Sequence, residues 1–64
     1  MVDWRTLKVN DKLTYTVDDF DGKGTFPATV TEVHQDHVVA SVKEEYMEMN
    51  LWVDDFNADM FTRR

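Results

Sequence analysis

At 64 residues the chain has room for one small domain. A core of that size covers only ~60% of the surface the unfolded chain exposes, and without cysteine there is no disulfide or thiolate metal site to supplement it. Thirteen acidic residues against seven basic ones give a net charge of -6, and the excess is local: residues 44 to 62 hold Glu44, Glu45, Glu48, Asp54, Asp55 and Asp59 and no base. Such a field attracts basic partners and repels phosphate backbones, which makes nucleic acid an unfavoured ligand.

No apolar run approaches the ~20 residues of a membrane span, and MVDWRTLKV lacks the pattern of a signal peptide. A soluble, cytoplasmic protein without membrane contact is the expectation. Nine valines and seven threonines against three leucines and three alanines favour strands over helices.

Asp3 ahead of Trp-Arg-Thr-Leu predicts a capped N-terminal helical turn with Trp4 and Leu7 on one side. Alternation in NDKLTYTV places Leu13, Tyr15 and Val17 on one face of a strand and Lys12, Thr14 and Thr16 on the other. DDFDGKG follows as a connection. A calcium loop of the EF-hand type fails there in both registers. With Gly22 at the sixth position Val17 falls at the first, and with Gly24 there Lys23 takes the fifth and Val30 the twelfth. Asp and Gly suit a tight turn, and the three carboxylates could bind Ca²⁺ weakly and incidentally.

In TFPATVTEV, Phe26, Ala28 and Val30 share a face, after which Val33 breaks the parity; a bulge near Thr31 and Glu32 would restore it. Pro27, lacking an N–H, belongs at an unpaired or outward position. HVVASVK presents Val38, Ala40 and Val42 inward, with His37, Val39 and Ser41 outward. YMEMNLWVD presents Met47, Met49, Leu51 and Val53 inward, and Tyr46, Glu48, Asn50, Trp52 and Asp54 outward. A helical turn over residues 43 to 49 is the rival reading, since Lys, Glu and Met favour helix. Asn57 predicts a cap for a single turn over Ala58 to Phe61. Four strands in a bent antiparallel sheet must close on themselves or have their edges covered, and a small barrel does this economically.

KVNDKLTYTV, the long first loop, ATVTEVHQDHVVASV, LWVDD and the terminal NADMF together resemble the SH3-like barrels, in the broad sense that includes Tudor and KOW-type domains. Short proteins of bacteria and their viruses often look like this. ATVTEV and HVVASV look like the central hairpin of such barrels, and NDKL like the entry to their first strand, where a glycine often stands at the position of Asn10. The resemblance implies an all-β domain: an arm over 1–9 with its helical turn, a barrel over 10–61 ending in a helical turn, and a tail over 62–64. Its members include peptide binders, nucleic-acid binders and structural modules, so the fold alone chooses no function.

Candidate sites are few. A two-residue turn at Gln35 and Asp36 would set His34 and His37 on one face, as zinc ligands or as a polar hairpin tip; with no third His and no Cys, the tip is the preferred reading and no metal or cofactor is expected. Ser41 lacks a nucleophile motif, and Asp54 and Asp55, as strand neighbours, point to opposite faces, so no catalysis is expected. Lys8, Lys12 and Lys23 could gather against nucleic acid, but the net charge opposes it.

The remaining set, Tyr46, Glu48, Trp52 and Asp54, pairs two large aromatics with two carboxylates on one face, with Val39 extending an apolar patch beside them. Aromatic faces beside carboxylates suit a Lys or Arg side chain of a basic protein or peptide. The competing reading folds Trp4 and Leu7 over Trp52 as an extension of the core. The sequence therefore points to a non-catalytic protein-interaction module, with an acidic inhibitor that mimics nucleic acid as the alternative.

Overall fold

The computed structural model describes residues 1–19 and 22–64, with the side chains of residues 19–23 outside that description. The fate of the carboxylates of Asp19 and Asp21, and of Lys23 as a cation, therefore lies outside the described residues. The rest forms a five-stranded antiparallel sheet in the order β4-β3-β2-β1-β5, with β1 Lys12–Asp19, β2 Gly22–Val33, β3 Val38–Lys43, β4 Glu48–Val53 and β5 Phe61–Arg63. Two short 3-10 turns, Trp4–Thr6 and Ala58–Met60, accompany it. The hydrogen bonding leaves the sheet open, with β4 and β5 as its edges. Among the described residues no helix is long and apolar enough to cross a membrane.

The N-terminal turn forms as its cap predicts: the Asp3 carboxylate accepts from the Arg5 N–H, and the Leu7 N–H donates to the Trp4 carbonyl. A tight bend then brings the chain into β1. The Asp11 carboxylate accepts from the Lys8 N–H at 2.9 Å, and Asn10 takes a left-handed φ of 76°. Asn tolerates that conformation because its short polar side chain can hydrogen-bond to the nearby backbone, while glycine, with no Cβ, enters it freely, which is the physical reason a glycine suits this entry. The bend is stitched to β2 through Asn10 N–H to Val30 O and Val30 N–H to Asp11 O, at 2.8 and 2.9 Å.

In β1, Leu13 is fully buried while Lys12 and Thr16 are exposed, in agreement with the alternation. β2 is long because it serves two neighbours, pairing with β1 over Gly22–Thr29 and with β3 over Ala28–Val33. The β2–β3 register shifts between Val30 and Glu32, the bulge that the broken parity required. Pro27 stands exposed, one residue outside the β3 pairing.

Four expectations are corrected. Among the described residues the strands number five, because residues 61–63 pair with β1 (Tyr15↔Phe61, Thr14↔Thr62, Leu13↔Arg63) instead of ending a helical turn and a tail. Asp18, Asp19 and Gly22 to Gly24, expected in a connection, belong to the β1–β2 ladder, since Asp18 pairs with Lys23 and Asp19 with Gly22. A ladder already set by Tyr15↔Phe26 carries residues of low strand propensity with it. Residues 44–47 form a tight turn closed by Glu44 N–H to Met47 O at 2.8 Å, so Met47 is 56% exposed instead of inward, and β4 starts at Glu48. Asn57 makes no side-chain cap; its amide spans the preceding bend, accepting from the Asp54 N–H and donating to the Trp52 carbonyl.

The core lies on one face of the sheet, the inner one, where Leu13, Val30, Val38, Val42, Val53 and Phe61 are completely buried. Trp4 and Leu7 of the arm join it, beside Ala58. β3 is buried on both faces, because His37, Val39 and Ser41 retain only 7–8% exposure on the outer side. Val39 therefore adds no exposed apolar surface: Trp52 of β4 stands directly opposite it.

Candidate functional site

On the outer face, the β2–β3 hairpin and β4 build one arrangement from residues distant in sequence. The His34 N–H donates to the His37 carbonyl at 2.9 Å, closing a two-residue turn and setting both imidazoles on one side. Their rings stack, with centroids 4.5 Å apart and planes 16° from parallel. His37 precedes Val39 by two residues on the same face, and Val39 pairs with Trp52, so the indole lies diagonally across from His37. It stacks flat on that imidazole, at 3.6 Å and 6°. The product is a ladder of three rings: His34, His37, Trp52.

Two carboxylates hold the ladder at its edge. Glu32 Oε1 lies 2.9 Å from His34 Nε2, and Asp36 Oδ1 2.7 Å from His37 Nδ1. The Asp36 carboxyl is held below the usual carboxylate range, first by the hydrogen bond with His37 and then by its own backbone N–H. Zinc does not suit this geometry. Ring nitrogens act as ligands in the plane of the ring, and the planes of stacked rings run side by side instead of converging. Each ring also already has a nitrogen engaged by a carboxylate. Among the described residues no group of three His, Asp or Glu side chains is placed to hold a metal ion.

The four residues singled out from the sequence do not form one cluster. Trp52 is 59% exposed, with one face on His37 and the arm elsewhere. Glu48 shares its side of β4 but stands four residues away, ~13 Å along a strand, and accepts a hydrogen bond from Ser41 Oγ. Tyr46 projects from the β3–β4 turn at 90% exposure. Asp54 belongs to the bend after β4, where its carboxylate accepts from the Phe56 N–H and its carbonyl from the Asn57 and Ala58 N–H groups.

Sequence reasoning connected none of Glu32, His34, Asp36 and His37 to Trp52. The signal was the β3–β4 register, which alternation alone does not fix. No family model, no curated protein and no solved structure matches this chain.

A second constellation ties the arm to the bend after β4. Trp4 Nε1–H donates to Asp55 Oδ1 at 2.9 Å, and the Arg5 guanidinium grips the same carboxylate with two bonds of 3.0 and 3.1 Å. Arg5 also lies 4.4 Å above the Trp4 ring, a cation–π contact. The small cleft here, about 280 Å³, is lined by the arm with Asp55 and Ala58. The hydrogen bonds from Arg5 and then Trp4 hold the Asp55 carboxyl below the usual range. A carboxyl depressed in the folded state stabilises above the pH where the unfolded chain titrates, ~3.9, and loses that contribution as pH falls through its lower folded value. Asp55→Asn should therefore flatten the acid limb of a Tm-against-pH profile between about pH 5 and pH 2. An unchanged limb would mean that the clasp contributes nothing to acid sensitivity.

Proposed function

We propose that this chain is a single SH3-like domain acting in the cytoplasm as a non-catalytic protein-interaction module, and that it binds a basic protein or peptide surface through the acidic, aromatic side of β4. The β2–β3 hairpin with its bulge and the left-handed entry at Asn10 support the SH3-like reading. One observation carries the functional reading: Trp52 presents a free ring face to solvent while its other face is fixed flat on His37. A ring already held in place loses little conformational freedom on binding, which favours it as an anchor. It lies within the stretch of six acids and no base, the charge that attracts Lys and Arg.

Titration calorimetry with hexa-arginine at low and moderate salt tests this. Trp52→Ala should weaken binding about tenfold or more, with Glu48→Gln weakening it less. Binding indifferent to Trp52 but abolished by moderate salt would favour the acidic nucleic-acid mimic instead. Against that alternative, Asp55 is already neutralised by Arg5 and Glu48 is engaged by Ser41.

A further inference from the structure

We infer that the free edge of β4 takes up an extended partner segment as a sixth strand, and that this segment alternates basic with apolar residues. The inference rests on the interaction-module reading and names the form of its ligand.

The turn bond from Glu44 N–H to Met47 O sets the alternation of the antiparallel ladder. From there Met49, Leu51 and Val53 direct their backbone groups toward β3, while Glu48, Asn50 and Trp52 direct theirs away from the sheet. Asn57 Nδ2 donates to the Trp52 carbonyl at 2.6 Å. Among the described residues, the N–H and C=O of Glu48 and Asn50 and the N–H of Trp52 have no partner. Beyond the Asn57 amide and the charge of Glu48, this edge lacks the usual protection. EMNLWV contains no Pro and no Lys, and its pairing with β3 runs without a bulge.

The side chains specify the occupant. On the inner face Met49 and Leu51 are only half-buried, so apolar residues of an added strand would complete their cover. On the outer face Glu48 and Trp52 would flank the alternate positions, where Lys or Arg finds a carboxylate and an aromatic ring. A second copy of this chain fits less well, because pairing β4 with its twin brings two stretches of six acids and no base side by side.

The probe is an end-capped octapeptide alternating lysine and valine, compared with one of the same composition in two blocks, four lysines then four valines. Amide spectra of the labelled protein should show the alternating peptide binding about tenfold tighter and slowing hydrogen exchange at Glu48 and Asn50. Asn50→Pro removes an edge donor without removing a β3–β4 bond, and should abolish that preference, whereas Asn50→Ala should retain it. Should the proline variant fail to fold, exchange at Glu48 and Asn50 in the unaltered protein decides. Equal binding of both peptides, dependent on Trp52 but not on the edge, would overturn the strand addition and leave the interaction module standing. Failure of both peptides to bind would remove both. A dimer in sedimentation with Glu48 and Asn50 protected before any peptide is added would make a second copy the occupant and overturn the inference.

Discussion

Trp4→Ala should lower stability by about 3–5 kcal/mol, whereas Trp52→Ala should melt only about 4–8 °C below the parent. The two tryptophans are equal in size and opposite in role. Trp4 is 5% exposed, packed with Leu7 and Ala58, and its indole N–H is bonded to Asp55. Truncating such a residue costs about 3–5 kcal/mol. A domain of this length has about 3–10 kcal/mol of total stability at the usual per-residue values. Trp52 rests on one imidazole and remains 59% exposed, so its loss removes a stacking contact and part of a half-covered surface, about 1 kcal/mol. Denaturant titration of both variants measures the difference. Equal destabilisation would mean that Trp52 belongs to the core and would weaken its reading as a binding anchor.

The second large effect concerns the last strand. Ending the chain after Met60 should abolish cooperative unfolding, and Phe61→Ala alone should cost about 3–5 kcal/mol. Phe61 is completely buried, with its ring 4.9 Å from that of Tyr15. Its strand supplies the outer partner for Leu13, Thr14 and Tyr15. Arg64 reaches further, donating from its backbone to Lys12 O at 3.1 Å and from its guanidinium to Leu13 O, also at 3.1 Å. A shortened chain that still melts sharply within about 5 °C of the parent would show that β5 is an accessory to the sheet.

Strand interiors were legible in the sequence wherever one face is dry and the other wet. Leu13 against Lys12, and Met49, Leu51 and Val53 against Glu48, Asn50 and Trp52 in β4, follow the two-residue period directly. Even the bulge could be located, because the pleat turns a lost parity into a geometric demand. β5 was not legible: a three-residue strand contains one apolar side chain, and its identity comes from its partner in β1. The site was legible as parts. The His pair and Trp52 each stood out, but joining them needs the register that sets Val39 opposite Trp52. The arm was expected either to cap Trp52 or to leave it bare; the bonds from Trp4 and Arg5 to Asp55 decide where it sits, and a long-range polar contact leaves no periodic trace.

The strand order has a consequence for how the molecule assembles. Three of the four pairings join strands that follow one another along the chain, and only β1 with β5 brings distant segments together, Leu13 meeting Arg63 across 50 residues. Closing a loop of that length costs about 2 kcal/mol more chain entropy than closing a loop of four residues. The β1–β4 meander is thus expected to zip first, with β5 and the N-terminal arm docking late onto a surface already formed. Late-forming contacts govern how fast a protein comes apart more than how fast it comes together. Substitutions at Phe61 or in the Trp4–Asp55 clasp should accordingly shorten the lifetime of the folded state, while those in the β2–β3 hairpin should slow its formation.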